Sequence, residues 1–92
     1  MENSEATAGG LAPVMRARLE TAFAPTRLEI HNESARHAGH AGDDGSGESH
    51  WRIVMAAPGL AGMTRVARHR AVHAALGDVV PRIHALALEL SG

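Results

Sequence analysis

Two short segments of this chain alternate apolar and polar residues one position at a time. In RLEIHNE, Leu28 and Ile30 fall on one side and polar residues on the other. In SHWRIVMAA, the apolar series is Trp51, Ile53 and Met55. Alternation of this kind is typical of strands with one buried face. The chain must therefore form a sheet whose apolar side is covered, and the two segments are predicted to pair as an antiparallel hairpin.

Helical segments on both sides of the hairpin are predicted to supply that cover. The first lies between Pro13, which suits a first helical turn, and Pro25, which ends it. Its apolar positions are Leu11, Met15, Leu19, Ala22 and Phe23. The second is predicted from about Met63 to Val79, and Pro81 bars its continuation. Its apolar positions are Val66, Ala67, Val72, Ala75, Leu76 and Val79.

RIHALALEL is predicted to be a third strand, with His84, Leu86, Leu88 and Leu90 on one face. Because a helical crossover precedes it, this strand can lie parallel to a neighbour. The predicted fold class is α+β, with a three-stranded mixed sheet covered on one face by helices. Residues 1–10 are predicted to be a disordered tail and 11–92 the domain.

The amino-acid composition limits the possible functions mainly through the residues that are absent. The chain has 92 residues, no cysteine and a formal net charge of −1. A self-contained thiolate metal site and a cysteine nucleophile are excluded. No catalytic constellation is visible, so an enzyme is not expected. No apolar run approaches the length of a membrane span, and the acidic, polar start does not resemble a secretory signal, so a cytoplasmic protein is expected.

Residues 34–48 are predicted to form a long Gly-rich loop between the first two strands, with His37 and His40 inside it and His50 just after it. Considered alone, these imidazoles fit solvated loop residues, but a mobile loop can also close a ligand over a metal. The loop's acidic residues, Asp43, Asp44 and Glu48, are interpreted as solubilising side chains, since their spacing fits no EF-hand.

The second predicted helix carries the basic residues Arg65, Arg68 and Arg70. They fit a docking surface for an acidic partner, a nucleic-acid face or a solvated face. His69 and His73 lie four apart on one helical face, as in some zinc sites, but no third ligand accompanies them. We expect His69 to be structural and His73 to be exposed. GLAG (59–62) matches the G-x-x-G loop of KH domains and is interpreted as a turn.

Four motifs occur in an order that resembles the BolA family: NES (32–34), SHW (49–51), RHRAVHAAL (68–76) and HALAL (84–88). The resemblance covers roughly residues 11–90. It implies an αββααβ fold similar to a type II KH domain, with an additional short helical turn near 59–64. It also implies pairing with a monothiol glutaredoxin and a shared [2Fe–2S] cluster, whose thiolates come from the glutaredoxin and glutathione. No cofactor is expected in the isolated chain, which is expected to be a monomer.

The resemblance also assigns residues. The C-terminal histidine of the family, in its HAL motif, matches His84, and the loop histidine that follows NES matches His37. Because this loop is a few residues longer than usual, His40 is the alternative loop ligand. Some members are DNA-binding regulators of stress response and cell morphology. That alternative, or partner docking, would use Arg65, Arg68, His69 and Arg70.

Overall fold

The computed structural model describes residues 10–34 and 47–92. Two helices and three strands follow one another in the predicted order α–β–β–α–β. They are α1 (Leu11–Phe23), β1 (Arg27–Asn32), β2 (His50–Ala56), α2 (Arg65–Leu76) and β3 (Ala85–Ser91), with 3₁₀ segments at Pro58–Leu60 and Gly77–Arg82. The first 3₁₀ segment supplies the additional short turn that the family resemblance implied. Of the described helices, none is long and apolar enough to cross a membrane.

The sheet has the order β1-β2-β3, so β2 lies in the centre. β1 pairs antiparallel with β2 and places Ile30 opposite Ile53. β3 pairs parallel with β2 and places Leu88 opposite the same Ile53. One face therefore carries all the apolar alternation of the three strands. The predicted mixed sheet is confirmed, and its parallel pair is made possible by the helical crossover between β2 and β3.

The two helices cover this apolar face and form one core with it. The fully buried side chains come from every layer: Leu11, Met15 and Leu19 from α1, Val72 and Leu76 from α2, and Trp51, Ile53 and Met55 from β2. Two predicted core positions are wrong. Ala22 is exposed because it lies in the last turn of α1, where Phe23 packs against the core instead. Val66 is 57% exposed because it lies off the face that carries Val72.

The second helix ends earlier than predicted. α2 stops at Leu76 rather than Val79, and Gly77 follows with φ 57°, a left-handed value that suits glycine. The Gly77 N–H donates to the His73 carbonyl. The chain then continues as a 3₁₀ segment that includes Pro81, so this proline does not mark the end of helical structure. Apolar spacing did not reveal the boundary because Val79, in the 3₁₀ segment after α2, is buried like the apolar residues of the helix.

Glu48 joins the end of the β1–β2 loop to the start of α1. Its carboxylate accepts the Leu11 N–H at 2.8 Å, and its backbone carbonyl accepts the Trp51 indole N–H at 2.7 Å. Gly10 allows the close approach, since a Cβ there would lie 2.5 Å from the Glu48 Oε2 atom. The interpretation of Glu48 as a solubilising residue is therefore wrong. It satisfies a helix N-terminal donor, where a negative charge is favourable.

Glu48→Ala should lower the free energy of unfolding by about 1 kcal/mol, because it removes the acceptor and the charge at the α1 N-terminus. Urea denaturation measures the change. The matched control is Glu20→Ala, which removes an exposed ion pair with Arg16 at 3.6 Å. That pair is expected to contribute only about 0.3–0.5 kcal/mol. Equal losses in the two variants would show that Glu48 does not cap the helix.

Candidate functional site

His84 lies immediately before β3, at the end of the sheet where the long loop returns to β2. Its backbone N–H donates to the Ser49 carbonyl at 2.8 Å, and the Ala85 N–H donates to the same oxygen at 3.1 Å. The His84 side chain is exposed. The sequence placed His84 at the start of the strand. In the structure it precedes the strand by one residue, because the parallel ladder begins with Ala85 opposite His50.

A second imidazole lies beside His84. The ring centroids of His50 and His84 are 5.3 Å apart, with the planes tilted by 46°. His50 is only 7% exposed, and its Nδ1 lies 2.8 Å from the Ser49 hydroxyl oxygen. Sequence reasoning gave His50 no functional role. The signal that could have found it is the parallel register, which brings residue 50 to the start of the third strand.

Short hydrogen bonds hold the two ends of the β1–β2 loop together. The Asn32 side chain accepts the Ser34 N–H at 2.9 Å and donates to the Gly47 carbonyl at 2.7 Å. The buried Ser34 hydroxyl accepts the His50 N–H at 3.0 Å. The Glu33 N–H donates to the His50 carbonyl at 2.9 Å. Both loop ends are thus fixed to the start of β2, next to His84.

His37 and His40, the candidate loop ligands, lie in the segment 35–46, outside the residues that the structure describes. Their assignment therefore stays a prediction. Asp43 and Asp44 lie in the same segment. What the structure does fix is the attachment of that segment at both ends, through Ser34, two residues after β1, and Gly47, three residues before β2.

Charges on the open face of the sheet are paired with one another. Arg52 donates to the Glu33 carboxylate at 3.0 Å, which raises the pKa of this guanidinium, and Glu89 lies 3.5 Å from the same side chain. Hydrogen bonds from His31 and then Arg27 lower the pKa of Glu29. These side chains neutralise one another locally. The imidazoles of His50 and His84 are therefore the candidate metal-binding groups at the loop base.

A metal at this site would need ligands from beyond the described part of the chain. Within residues 10–34 and 47–92, no three His, Asp or Glu side chains gather closely enough to hold an ion. This includes His69 and His73 on α2. His73 is exposed, as expected, whereas His69 is half-buried and its imidazole makes no hydrogen bond to the described residues. Neutral imidazole is a suitable ligand for iron, so His84 can contribute to a site completed by other donors.

The basic residues of α2 differ in what they do. The Arg68 Nε atom donates to the Leu60 carbonyl at 3.0 Å, and its Nη1 atom donates to the Leu90 carbonyl at 3.3 Å. Arg68 therefore joins the first 3₁₀ segment to β3 and serves the fold. Arg65 and Arg70 are exposed and make no ion pair with the described residues. Only these two arginines are left for docking.

Comparison with known proteins identifies the family. The model of the BolA-like protein family matches residues 19–92. The chain belongs to the BolA-like family. It is similar to mouse BolA-like protein 1, with 40% identity over 85 residues that cover 91% of this chain and 59% of the mouse protein. The chain thus spans less than two thirds of that relative's length.

Two solved structures of BolA-like proteins from Arabidopsis thaliana share the fold. BolA1 superposes with a TM-score of 0.76 at 33% identity, covering 99% of this chain and 93% of that one. The BolA domain of SufE1 gives a TM-score of 0.77 at 27% identity, covering 99% and 94%. The expected α+β architecture and the family resemblance are both confirmed.

The geometry shows where the motifs of this BolA-like chain lie relative to one another. Asn32 and Ser34 of NES and Ser49 and His50 of SHW form the base of the loop. HALAL opens with His84, which is hydrogen bonded to that base. Three of the four motifs therefore meet at one end of the sheet, although they are far apart in the sequence.

Ser34→Ala should loosen the loop base, because the buried His50 N–H would lose its acceptor. An unsatisfied buried donor costs about 1–3 kcal/mol. Hydrogen exchange followed by NMR should show a faster-exchanging His50 amide, with the β2 amides nearer Ala56 little changed. Ser91→Ala, which removes an exposed hydroxyl from the end of β3, is the control. An unchanged His50 amide would contradict the assigned role of Ser34.

Proposed function

We propose that this chain is a non-enzymatic adaptor in iron–sulfur handling that pairs with a monothiol glutaredoxin. In the complex, His84 is the ligand from the folded domain to a shared [2Fe–2S] cluster. His37 is the ligand from the loop, and His40 is the alternative. The remaining ligands are thiolates from the glutaredoxin and its bound glutathione.

The observation that carries the proposal is the attachment of the loop to His84. The Ser49 carbonyl, at the returning end of the loop, accepts the His84 N–H, and the exposed imidazole of His84 lies at the same place. A histidine in the segment 35–46 belongs to the chain that is attached at this point. Two ligands from distant parts of the sequence can therefore approach one iron without rearrangement of the sheet.

The donor set also fits a cluster that two proteins share. The chain has no cysteine, and its described residues gather no set of three potential ligands. Clusters with thiolates on one iron and histidines on the other are established chemistry, and histidine in place of thiolate raises the reduction potential. The chain's part is to present imidazole, to hold it in place and to leave room for the partner's sulfur.

The neighbourhood of His84 favours a fixed ligand orientation. His50 is buried beside it and is held through its Nδ1 by the Ser49 hydroxyl. Groups that orient a metal ligand commonly change metal affinity by about 10–100-fold when they are removed. The occurrence of a BolA domain within SufE1 of Arabidopsis thaliana also supports a role in iron–sulfur metabolism.

His84→Ala should reduce cluster assembly in the mixed complex by at least about tenfold, because even the loss of a group that only orients a ligand typically costs about 10–100-fold. The measurement mixes the chain with a monothiol glutaredoxin, loads the cluster, and compares visible absorption and circular dichroism with the glutaredoxin homodimer. Wild type should give a distinct spectrum, whereas His84→Ala should leave the homodimer spectrum. His37→Ala and His40→Ala then identify the loop ligand.

His73→Ala is the control, because it removes an exposed imidazole from α2 at another part of the surface. It should behave as wild type. Far-ultraviolet circular dichroism should show that both variants fold, since neither side chain belongs to the core. Identical cluster spectra for His84→Ala, His73→Ala and wild type would overturn the proposal.

A further inference from the structure

A second surface lies along the free edge of β3, next to the exposed basic side of α2. β3 is an outer strand of the sheet, with β2 on one side only. Its apolar residues Leu86, Leu88 and Leu90 are half-buried rather than buried, in contrast to the apolar residues of β2. An accessible strand edge of this kind offers unpaired backbone groups to another chain.

The ladder shows which backbone groups point outward. The Ala85 N–H donates to the Ser49 carbonyl, and the Ala57 N–H donates to the Ser91 carbonyl. In a parallel pair, alternate residues bond to the same neighbour. Residues 85, 87, 89 and 91 therefore face β2, and the backbone groups of Leu86, Leu88 and Leu90 face outward. The Arg68 guanidinium confirms the direction, because it reaches the Leu90 carbonyl from that side.

An open groove of about 570 Å³ lies at the C-terminal half of this edge, from Leu88 to Ser91. Met63, Leu88 and Leu90 contribute apolar surface, and Arg65 and His69 contribute basic groups. A second concave patch shares Arg65 and His69 and continues along α2 over its exposed residues, Val66, Arg70 and His73. The one carboxylate of the groove lining, Glu89, lies 3.5 Å from Arg52. Positive charge therefore dominates beside an apolar floor.

We propose that this groove binds an extended, acidic segment of a partner protein, which adds to β3 as a further strand. The outward N–H and C=O groups of Leu86 and Leu88 pair with its backbone. Its apolar side chains contact Leu88 and Met63, and its carboxylates approach Arg65 and Arg70. Strand addition of this type takes affinity from the backbone and selectivity from the side chains.

The same features argue against nucleic acid as the occupant. Of the arginines that line the groove and the neighbouring patch, only Arg65 and Arg70 are available, because Arg68 is bonded to two carbonyls. Two cations release few counterions, so the electrostatic term is small. The groove lining holds no Phe, Tyr or Trp on which a base could stack. Outward backbone groups beside leucines, by contrast, match what a peptide strand requires.

The surface is separate from the proposed cluster site. Leu88, the residue shared by the groove and the proposed pairing, lies four residues from His84, about 13 Å in an extended strand at roughly 3.3 Å per residue. A segment that pairs with Leu86 and Leu88 uses the outer backbone edge of β3 and no atom of the His84 imidazole. The inference therefore does not depend on the iron–sulfur proposal, and each can fail without the other.

The test uses the full chain, labelled with ¹⁵N, and a nine-residue capped peptide of alternating Val and Glu. Titration should shift the amides of Leu86 and Leu88 in a saturable way and leave the amides of β1 unchanged. Affinity should fall as salt is added, because the carboxylates face exposed arginines. Shifts confined to other parts of the sheet would overturn the proposal.

Two comparisons test separately the contribution of the arginine charges and the contribution of backbone pairing. Arg65→Glu combined with Arg70→Glu should weaken binding by about tenfold or more, whereas Arg16→Glu, a single charge reversal on α1, should not. A peptide methylated on alternate backbone nitrogens, in the register that faces β3, should not bind. Equal binding of this peptide would overturn strand addition, and equal binding of a Val–Lys peptide would overturn the preference for an acidic segment. Tighter binding of single-stranded oligothymidylate at the same amides would instead identify a nucleic-acid surface.

Discussion

The parallel pairing of β2 with β3 is the constraint on which the rest of this structure depends. It requires a crossover, and α2 supplies both the crossover and the cover for the apolar face of the sheet. Pairing starts at His50 and Ala85, with the Ser49 carbonyl accepting two N–H groups just before it. That small arrangement places His84 against the loop end. A shift of one residue would reverse every side chain of β3 and remove the leucines from the core face.

The loop base illustrates how the two ends of a long connection are held against the sheet. Asn32 and Ser34 hold one end and Glu48 and Ser49 the other, and each uses a side chain and a backbone group together. Such bonds are individually modest in free energy. Their importance lies in geometry, because they decide where the loop leaves the domain and therefore which histidines can meet.

The arginines of α2 show that residues of the same charge can have different roles. Arg68 is bonded to carbonyls from two elements, one of them on the outer edge of β3, whereas Arg65 and Arg70 remain exposed. A guanidinium carries several donors in a fixed plane, so it can satisfy two backbone acceptors at once. The three arginines of α2 therefore offer a partner fewer available charges than their number indicates. Residue type alone does not distinguish Arg68 from Arg65 and Arg70.

The sequence alone determined the elements of this protein, their order and most of its core. Alternation and helical spacing are local properties, and they held for every strand and, apart from Ala22, for the buried face of α1. The family motifs also pointed to His84. Helix ends were harder, since Gly77 ends α2 while Val79 remains buried and keeps the apolar pattern going.

Only the tertiary structure decided which distant residues became neighbours. His50 lies beside His84 because of strand register, Glu48 reaches the start of α1 because the loop returns there, and Arg68 spans two elements because α2 crosses near β3. None of these contacts has a sequence signature, since each joins segments whose separation is set by the packing of the helices on the sheet. The sequence determines which chemical groups are present, but the fold determines which of them lie close enough to form a site.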